Sequence, residues 1–349
     1  MQSLRKSKRA KAPIGPVLVT GANGRLGLMV VKELARKKVP VRAVILPGSD
    51  ACAIEGLCKE FYEIDLSDAS NFQKIRAACR GTTAIAHLAG LVDYSASPSR
   101  LMENNFFSTS QLASAAQCEG VKRFVFVSST SIYRGVKLLP GEKISEKTPP
   151  RPQNAYGESK LAAENALRAS FLEYVILRPP IVYGPGFQDG FRQVVGGIRA
   201  GKLPFIGSGS NCVAFIHAND LSSAVVAAIS CRAVREEFIV TSGESFTQAQ
   251  LFEAVAAQVG TRAPSRRIPR RIAYLAAALN SAKSRLLRQK NKFPAEYVHT
   301  LSEHREYDIS KARALLKFVP KVKFASGLAA FIASLGKTGG NAPSGADRK

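Results

Sequence analysis

The chain has 349 residues, 46% of them apolar, and carries 50 Lys and Arg against 26 Asp and Glu, a net charge of +24. That suits one large globular domain or one and a half. No run approaches the about 18 apolar residues that would cross a bilayer, and a field this positive draws phosphates, nucleic acid or anionic lipid.

The first thirteen residues, MQSLRKSKRAKAP, are basic with no apolar stretch behind them, so a disordered basic arm is expected over 1–13 rather than a secretory signal. A dinucleotide-binding domain is expected over 14–185 and a smaller lobe over most of 186–335. The tail GKTGGNAPSGADRK, 336–349, is expected to be disordered. Cys52, Cys58, Cys79, Cys118, Cys212 and Cys231 show no CxxC pair and no metal-ligand spacing. A reduced, cytoplasmic protein without a metal site follows.

Short β-branched strands alternate with helical segments through the first half, the mark of an α/β, doubly wound parallel sheet. A strand over 17–20 runs into TGANGRLG and a helix over 26–37. Gly21, Gly24 and Gly27 let backbone amides approach a pyrophosphate, and the helix N-terminus favours its charge. Asn23, Arg25 and Leu26 lie in the same cradle, which calls for NAD or NADP. The second strand, 41–45, is followed by no acid before Asp50. A carboxylate there would hold a ribose 2′-OH and repel a 2′-phosphate, so its absence tilts the expectation toward NADP. Arg25 and Arg42 are the cations available to that phosphate.

The third strand, 61–64, ends at Asp65 and Leu66, where a carboxylate can accept the adenine amino group. Ser67 or Asp68 is the better N-cap for the helical stretch over 69–79. The fourth strand, 84–87, leads into Leu88, Ala89 and Gly90, which would run beside the cofactor, while His87 reads as a satisfied structural histidine. After a helix over 102–119 and a strand over 124–127 comes Ser128-Ser129-Thr130-Ser131. A hydroxyl there can hold a substrate oxygen, with Ser129 preferred and Ser128 and Thr130 close behind.

The string YGESK opens a helix over 156–169 and sets Tyr156 and Lys160 one turn apart on one face. An ammonium beside the phenol is expected to lower its pKa and make it a proton carrier near neutrality. Beyond a strand over 175–177 the rhythm changes. RPPIVYGPG punctuates the chain, helices follow near 191–200 and 219–230, and a strand near 237–240. These pieces are too few for an independent sheet and suit a small substrate-binding lobe.

The strings TGANGRLG, IDL, HLAG, NFFSTSQL, VSSTSIY, YGESK and RPPIVYGPG, in this order, resemble the extended short-chain dehydrogenase/reductase family over roughly residues 15–330. The resemblance implies a Rossmann fold and a proton relay of Ser129, Tyr156 and Lys160, with Lys160 also bonding the nicotinamide ribose. It makes Asn105 a structural asparagine, brings Pro179, Ile181 and Val182 to the nicotinamide amide, and suggests a homodimer.

Family dehydratases carry an Asp-Glu pair after the catalytic hydroxyl, where this chain has Thr130 and Ser131. Family epimerases carry a diphosphate-gripping arginine just before FIHANDL, where it has Val213 and Ala214. Arg192, Arg199 or Lys202 could take that arginine's place, but GKLPFIGSGSN, a basic and apolar insert near 264–292 and REYDISKARALLKFVPKV most resemble the hydroxysteroid dehydrogenase and dihydroflavonol reductase branch. That implies a lipophilic ketone or alcohol as substrate, with a nucleotide sugar and epimerisation as the alternative.

Residues 262–292 carry ten Lys or Arg and no acid. Within them Ile272, Leu275, Leu279 and Leu286 form an apolar helix face. A helix of that kind over 266–290 can lie on an anionic bilayer, or else act as a pocket lid or dimer contact. A catalytically silent RNA-binding scaffold is a further alternative, but the cations are not interleaved with stacking aromatics, so nucleic acid is disfavoured.

Overall fold

The computed structural model describes residues 15–139, 141–187, 190–287 and 295–337. The expected basic arm, Arg288, Lys290 and Lys292 of the basic segment, and 338–349 of the tail lie outside the described residues.

Seven parallel strands form the central sheet: β1 (Val17–Thr20), β2 (Val41–Ile45), β3 (Glu60–Glu63), β4 (Ala84–His87), β5 (Arg123–Val127), β6 (Glu173–Arg178) and β11 (Glu236–Ile239). Their spatial order is β3-β2-β1-β4-β5-β6-β11, so the chain winds outward in both directions from the β1/β4 junction. In such a sheet the ligand crevice opens at the carboxyl ends of the strands beside that reversal. β1 reads VLVT with every residue buried, as expected of a strand covered on both faces.

On one face lie α1 (Arg25–Arg36) and α7 (Ala218–Ser230). On the other lie α2 (Phe72–Cys79), α4 (Ser108–Cys118) and α5 (Ala155–Ala169). α1 buries Gly27, Val30, Val31 and Leu34, one stripe at helical spacing. The predicted helix over 102–119 begins earlier, at α3 (Pro98–Leu101), and passes through a π-helical segment, Met102–Phe107, before α4. Ser97 caps α3 and Pro98 stands at its first turn, a start signal lying outside the periodic stretch.

Past β6 the chain builds a lobe from β7 (Ile181–Tyr183), α6 (Phe191–Arg199), β8 (Phe205–Ile206), β9 (Cys212–Val213), β10 (Phe215–His217), β12 (Phe246–Thr247), α8 (Gln248–Val259), β13 (Arg267–Ile268), α9 (Arg270–Leu286), α10 (Ala295–Ser302) and α11 (Phe324–Lys337). β7 pairs with β10, β9 with β12 and β8 with β13, each a two-stranded ladder. Tyr183, Phe191, Phe215, Phe252 and Phe331 centre its own buried core. A border at 185 does not separate the two parts. α7 packs on α1, and β11 joins the edge of the central sheet beside β6. That strand is short and carries Glu236 and Glu237, so its pattern in sequence gives no sign of which sheet it joins.

Candidate active site

The glycine loop leaves β1 and enters α1 through a bend that side chains would block. Gly21 has φ +63°, and a Cβ there would lie 3.0 Å from Ala89 backbone atoms. A Cβ on Gly27 would lie 2.0 Å from the Gly21 carbonyl oxygen. Gly24 stands at the N-cap with no side chain to occupy the helix end, and the first turn of α1 holds no acid. The positive end of the α1 dipole therefore faces the crevice without an internal counter-charge, which fits a pyrophosphate.

Around that loop, Asn23 Nδ2 donates to Ser49 Oγ at 2.8 Å and to the Asp50 carbonyl at 2.9 Å. Arg25 donates to the Gly186 carbonyl at 3.4 Å and its guanidinium lies 5.5 Å from the Phe187 ring centroid. It thus bridges the glycine loop to the turn after β7. Glu63, at the end of β3, accepts from the Gly48 amide at 3.0 Å, which brings a carboxylate to the loop after β2. Arg42, counted from the sequence as a cation for a 2′-phosphate, is ruled out of that role. It sits near the amino end of β2, pairs with Glu60 at 3.0 Å, and donates to the Ala78 and Arg80 carbonyls, away from the crevice.

Asp65 accepts from Ser67 through both its amide, at 2.8 Å, and its hydroxyl, at 2.6 Å, while Asp68 caps the following turn through the Ser70 amide. Leu66 is buried and its carbonyl accepts from Gln111.

Thr20, which the sequence reading passed over, organises the strip from Leu88 to Gly90. Its hydroxyl oxygen accepts from the Leu88 and Ala89 amides, both at 3.2 Å, and lies 2.7 Å from His87 Nδ1. With two amides donating to it, the Thr20 hydroxyl gives its own proton to Nδ1. His87 then donates from Nε2 to Thr109 at 2.9 Å, and Thr109 donates to the Asn105 carbonyl. Burial, seconded by Lys160, holds the His87 pKa down to about 3. His87 is a neutral structural group.

Asn105 occupies the π-helical segment. Its Oδ1 accepts from the Leu91 amide at 2.8 Å, and its Nδ2 donates to Leu91 O at 3.1 Å and to Ser159 Oγ at 3.0 Å. Ser159 donates in turn to the Tyr156 carbonyl at 2.9 Å. One side chain therefore fixes the strip beside β4 to the helix that carries Tyr156. A Cβ on Gly90 would meet Asn105 Oδ1 at 2.8 Å and Lys160 Nζ at 3.5 Å, so Gly90 and Lys160 are neighbours.

Asn154 caps α5 through the Gly157 amide at 2.7 Å. A Cβ on Gly157 would lie 2.7 Å from the Ser131 carbonyl, so α5 rests directly on the turn after β5. This contact brings Tyr156 to Ser129. Ser129 adjoins Tyr156, and its hydroxyl donates to Ser131 Oγ at 3.0 Å and accepts from the Ser131 amide at 3.1 Å. Ser128 Oγ, by contrast, is buried with no hydrogen-bond partner among the described residues. Thr130 is buried too, with its amide on the Pro179 carbonyl. Ile181 and Val182 pair with Phe215 and Ile216 beside this turn.

Burial raises the Tyr156 pKa well above the ordinary phenol range, nearby Tyr94 adds to the rise, and the adjoining Ser129 hydroxyl opposes it. The lowering expected from Lys160 is overturned. The Lys160 ammonium donates to the Val127 carbonyl at 2.9 Å and lies 4.7 Å from the Phe126 ring centroid. Burial brings its own pKa down to about 8. Tyr94 is a second phenol that sequence reasoning missed. Its ring stands edge-on to Tyr156 with centroids 5.4 Å apart. It comes from an irregular loop, LVDYSAS, with no periodic or motif signal.

Comparison with known proteins matches residues 17–240 to the model of the NAD-dependent epimerase/dehydratase family. A UDP-glucose 4-epimerase of Vibrio cholerae is 32% identical over 256 residues, covering 69% of this chain and 74% of that protein. Sterol demethylase protein B of Methylococcus capsulatus is 27% identical over 331 residues, covering 90% of this chain and 97% of that protein. The crystal structure of the UDP-glucose 4-epimerase of Thermotoga maritima with UDP-glucose shares the fold, with a TM-score of 0.72 at 23% identity over 93% of this chain and 99% of that one.

Proposed function

The chain belongs to the NAD-dependent epimerase/dehydratase family, and we propose that this NAD-dependent enzyme reduces a ketone, or oxidises the matching secondary alcohol, of a lipophilic substrate. The observation that carries the reading is the convergence of Ser129, Tyr156 and the buried Lys160 at the carboxyl ends of β4 and β5, where α5 rests on the turn after β5. The Gly21, Gly24 and Gly27 cradle and the uncapped start of α1 fit a dinucleotide, with Leu88 to Gly90 alongside. When bound, the nicotinamide supplies or accepts the hydride.

The chain's own residues manage the proton. A phenol with a raised pKa is protonated at neutral pH, so Tyr156 is set to donate to the oxygen of a carbonyl as that oxygen gains charge. With substrate bound, the Ser129 hydroxyl turns its proton from Ser131 to the same oxygen and stabilises it. Lys160 keeps a positive charge below about pH 8, held on the Val127 carbonyl beside Gly90, where the strip that would run along the dinucleotide passes.

NAD rather than NADP is proposed as the nucleotide. Glu63 ends β3 with its carboxylate against the loop after β2, Arg42 is occupied at the far end of the strand, and a carboxylate there would repel a 2′-phosphate.

Three observations favour reduction over the family's other reactions. Thr130 and Ser131 supply no carboxylate beside Ser129 for elimination. Val213 is buried on β9 where an epimerase would place its diphosphate arginine. A 2-alkyl-3-oxoalkanoate reductase of Stenotrophomonas maltophilia is matched along 97% of its length, lobe included. Epimerisation of a nucleotide sugar is the second reading, favoured by the higher identity to the Vibrio enzyme. Assay of net NADH oxidation with keto substrates, and of UDP-glucose interconversion without it, separates the two.

A further inference from the structure

α9 is docked the wrong way round for a helix of a closed globule. Ala273 and Ala277 face inward into the lobe core, 1% and 0% exposed. The large aliphatic residues face out: Ile272 is 54% exposed, Leu275 61%, Leu279 64% and Leu286 84%. At 3.6 residues per turn these four fall within about 60° of arc, a continuous apolar stripe along the whole helix. Solvent-facing stripes of this kind on a monomer mark an interaction surface.

The charge around the stripe names the partner. Arg271 lies on one side of it and Lys283 on the other, both exposed, and Arg266 and Arg267 are exposed just ahead of the helix. Arg270 is already paired with Glu303. The sequence from 262 to 292 contains no acidic residue at all. A protein partner of ordinary surface would leave these cations facing mixed charge. A sheet of phosphate headgroups over acyl chains matches both features at once, since aliphatic side chains sink into the boundary while cations stay among phosphates.

We propose that the outer face of α9 docks the protein on an anionic lipid bilayer as a peripheral contact. Among the described residues no helix is long and apolar enough to cross a membrane, so the helix lies in the surface plane. α9 packs on α10, whose Glu296 pairs with Arg134 in the turn after Ser129, so the docked face belongs to the element adjoining the candidate site.

The test is co-sedimentation of the full chain with vesicles of phosphatidylglycerol and phosphatidylcholine, and with phosphatidylcholine alone. The wild type is expected to pellet with the anionic vesicles, weakly with the neutral ones, and less as salt rises. Leu275→Ser with Leu279→Ser is expected to weaken vesicle binding at least about tenfold, because each leucine withdrawn from the bilayer forfeits the transfer free energy of its side chain. Arg271→Glu with Lys283→Glu is expected to abolish the preference for anionic lipid. NADH affinity, unchanged in all variants, reports that they are folded. No pelleting by the wild type overturns the proposal, as does equal binding by the leucine variant. Self-association that the leucine variant abolishes, without vesicle binding, assigns the face to a second copy of the chain and also overturns it.

Discussion

The Lys160 ammonium donates to the Val127 carbonyl at 2.9 Å inside a space that burial has made hostile to its charge. Its pKa falls from 10.5 to about 8. At 1.36 kcal/mol per unit that is a cost of about 3 kcal/mol to the folded state at neutral pH, set against the about 1–2 kcal/mol of leaving Val127 O unpaired.

Lys160→Met should therefore stabilise the fold by about 1–2 kcal/mol at pH 7, raising Tm by a few degrees, while turnover is lost. The sign follows from linkage. The folded pKa lies below the unfolded one, so the wild type gains stability as it sheds the proton between about pH 8 and 10.5. The variant's advantage should be complete below pH 8 and gone by pH 10.5, which thermal melts across that range measure. A variant less stable than the wild type at pH 7 would contradict the assignment of a strained charge.

Gly27→Ala should abolish dinucleotide binding and destabilise the protein by about 2 kcal/mol or more, because its Cβ meets the Gly21 oxygen and the Ala22 Cα, neither of which is a flexible side chain. Gly196→Ala is the control. An added Cβ there meets nothing within 4 Å, and the exposed helical position should gain about 0.5–1 kcal/mol. Urea unfolding and NADH titration of the pair measure both effects.

Wild-type protein should bind NADH more tightly than NADPH. Glu63→Gln keeps an oxygen for the Gly48 amide but removes the charge, so the gap should narrow several-fold through gain in NADPH affinity. Fluorescence titration with both nucleotides checks it. An unchanged ratio would place the discriminating group elsewhere.

Behind the site, Arg178 grips fully buried Glu164 with two bonds, 3.0 and 2.6 Å, and donates to the Tyr133 hydroxyl at 2.6 Å. Glu164→Gln leaves that guanidinium buried without its counter-charge and should cost about 3–5 kcal/mol. Denaturant unfolding should show the loss directly.

The sheet and the glycine cradle were legible because buried parallel strands read as short apolar runs and because the positive φ of Gly21 and the contact of Gly27 with Gly21 and Ala22 are demands local in sequence. Tyr156 and Lys160 were legible from helical spacing. Their electrostatics were not. Whether an ammonium faces a phenol or a carbonyl depends on what the sheet offers behind it, here Val127 and Phe126, far off in sequence. The same holds for Thr20, which takes its meaning from His87 and the Leu88 and Ala89 amides, and for Arg42, whose pairing with Glu60 on the neighbouring strand only register reveals. Tyr94 lies on a loop and had no pattern to betray it.

The proton donor itself is tested by following NADH absorbance with keto-acid and ketosteroid substrates, in wild type and Tyr156→Phe. Net, stoichiometric NADH oxidation by the wild type is expected, falling about 10²–10⁴-fold in the variant while NADH affinity stays within a few-fold. Full turnover by Tyr156→Phe would contradict the account. So would interconversion of UDP-glucose by the wild type with no NADH consumed.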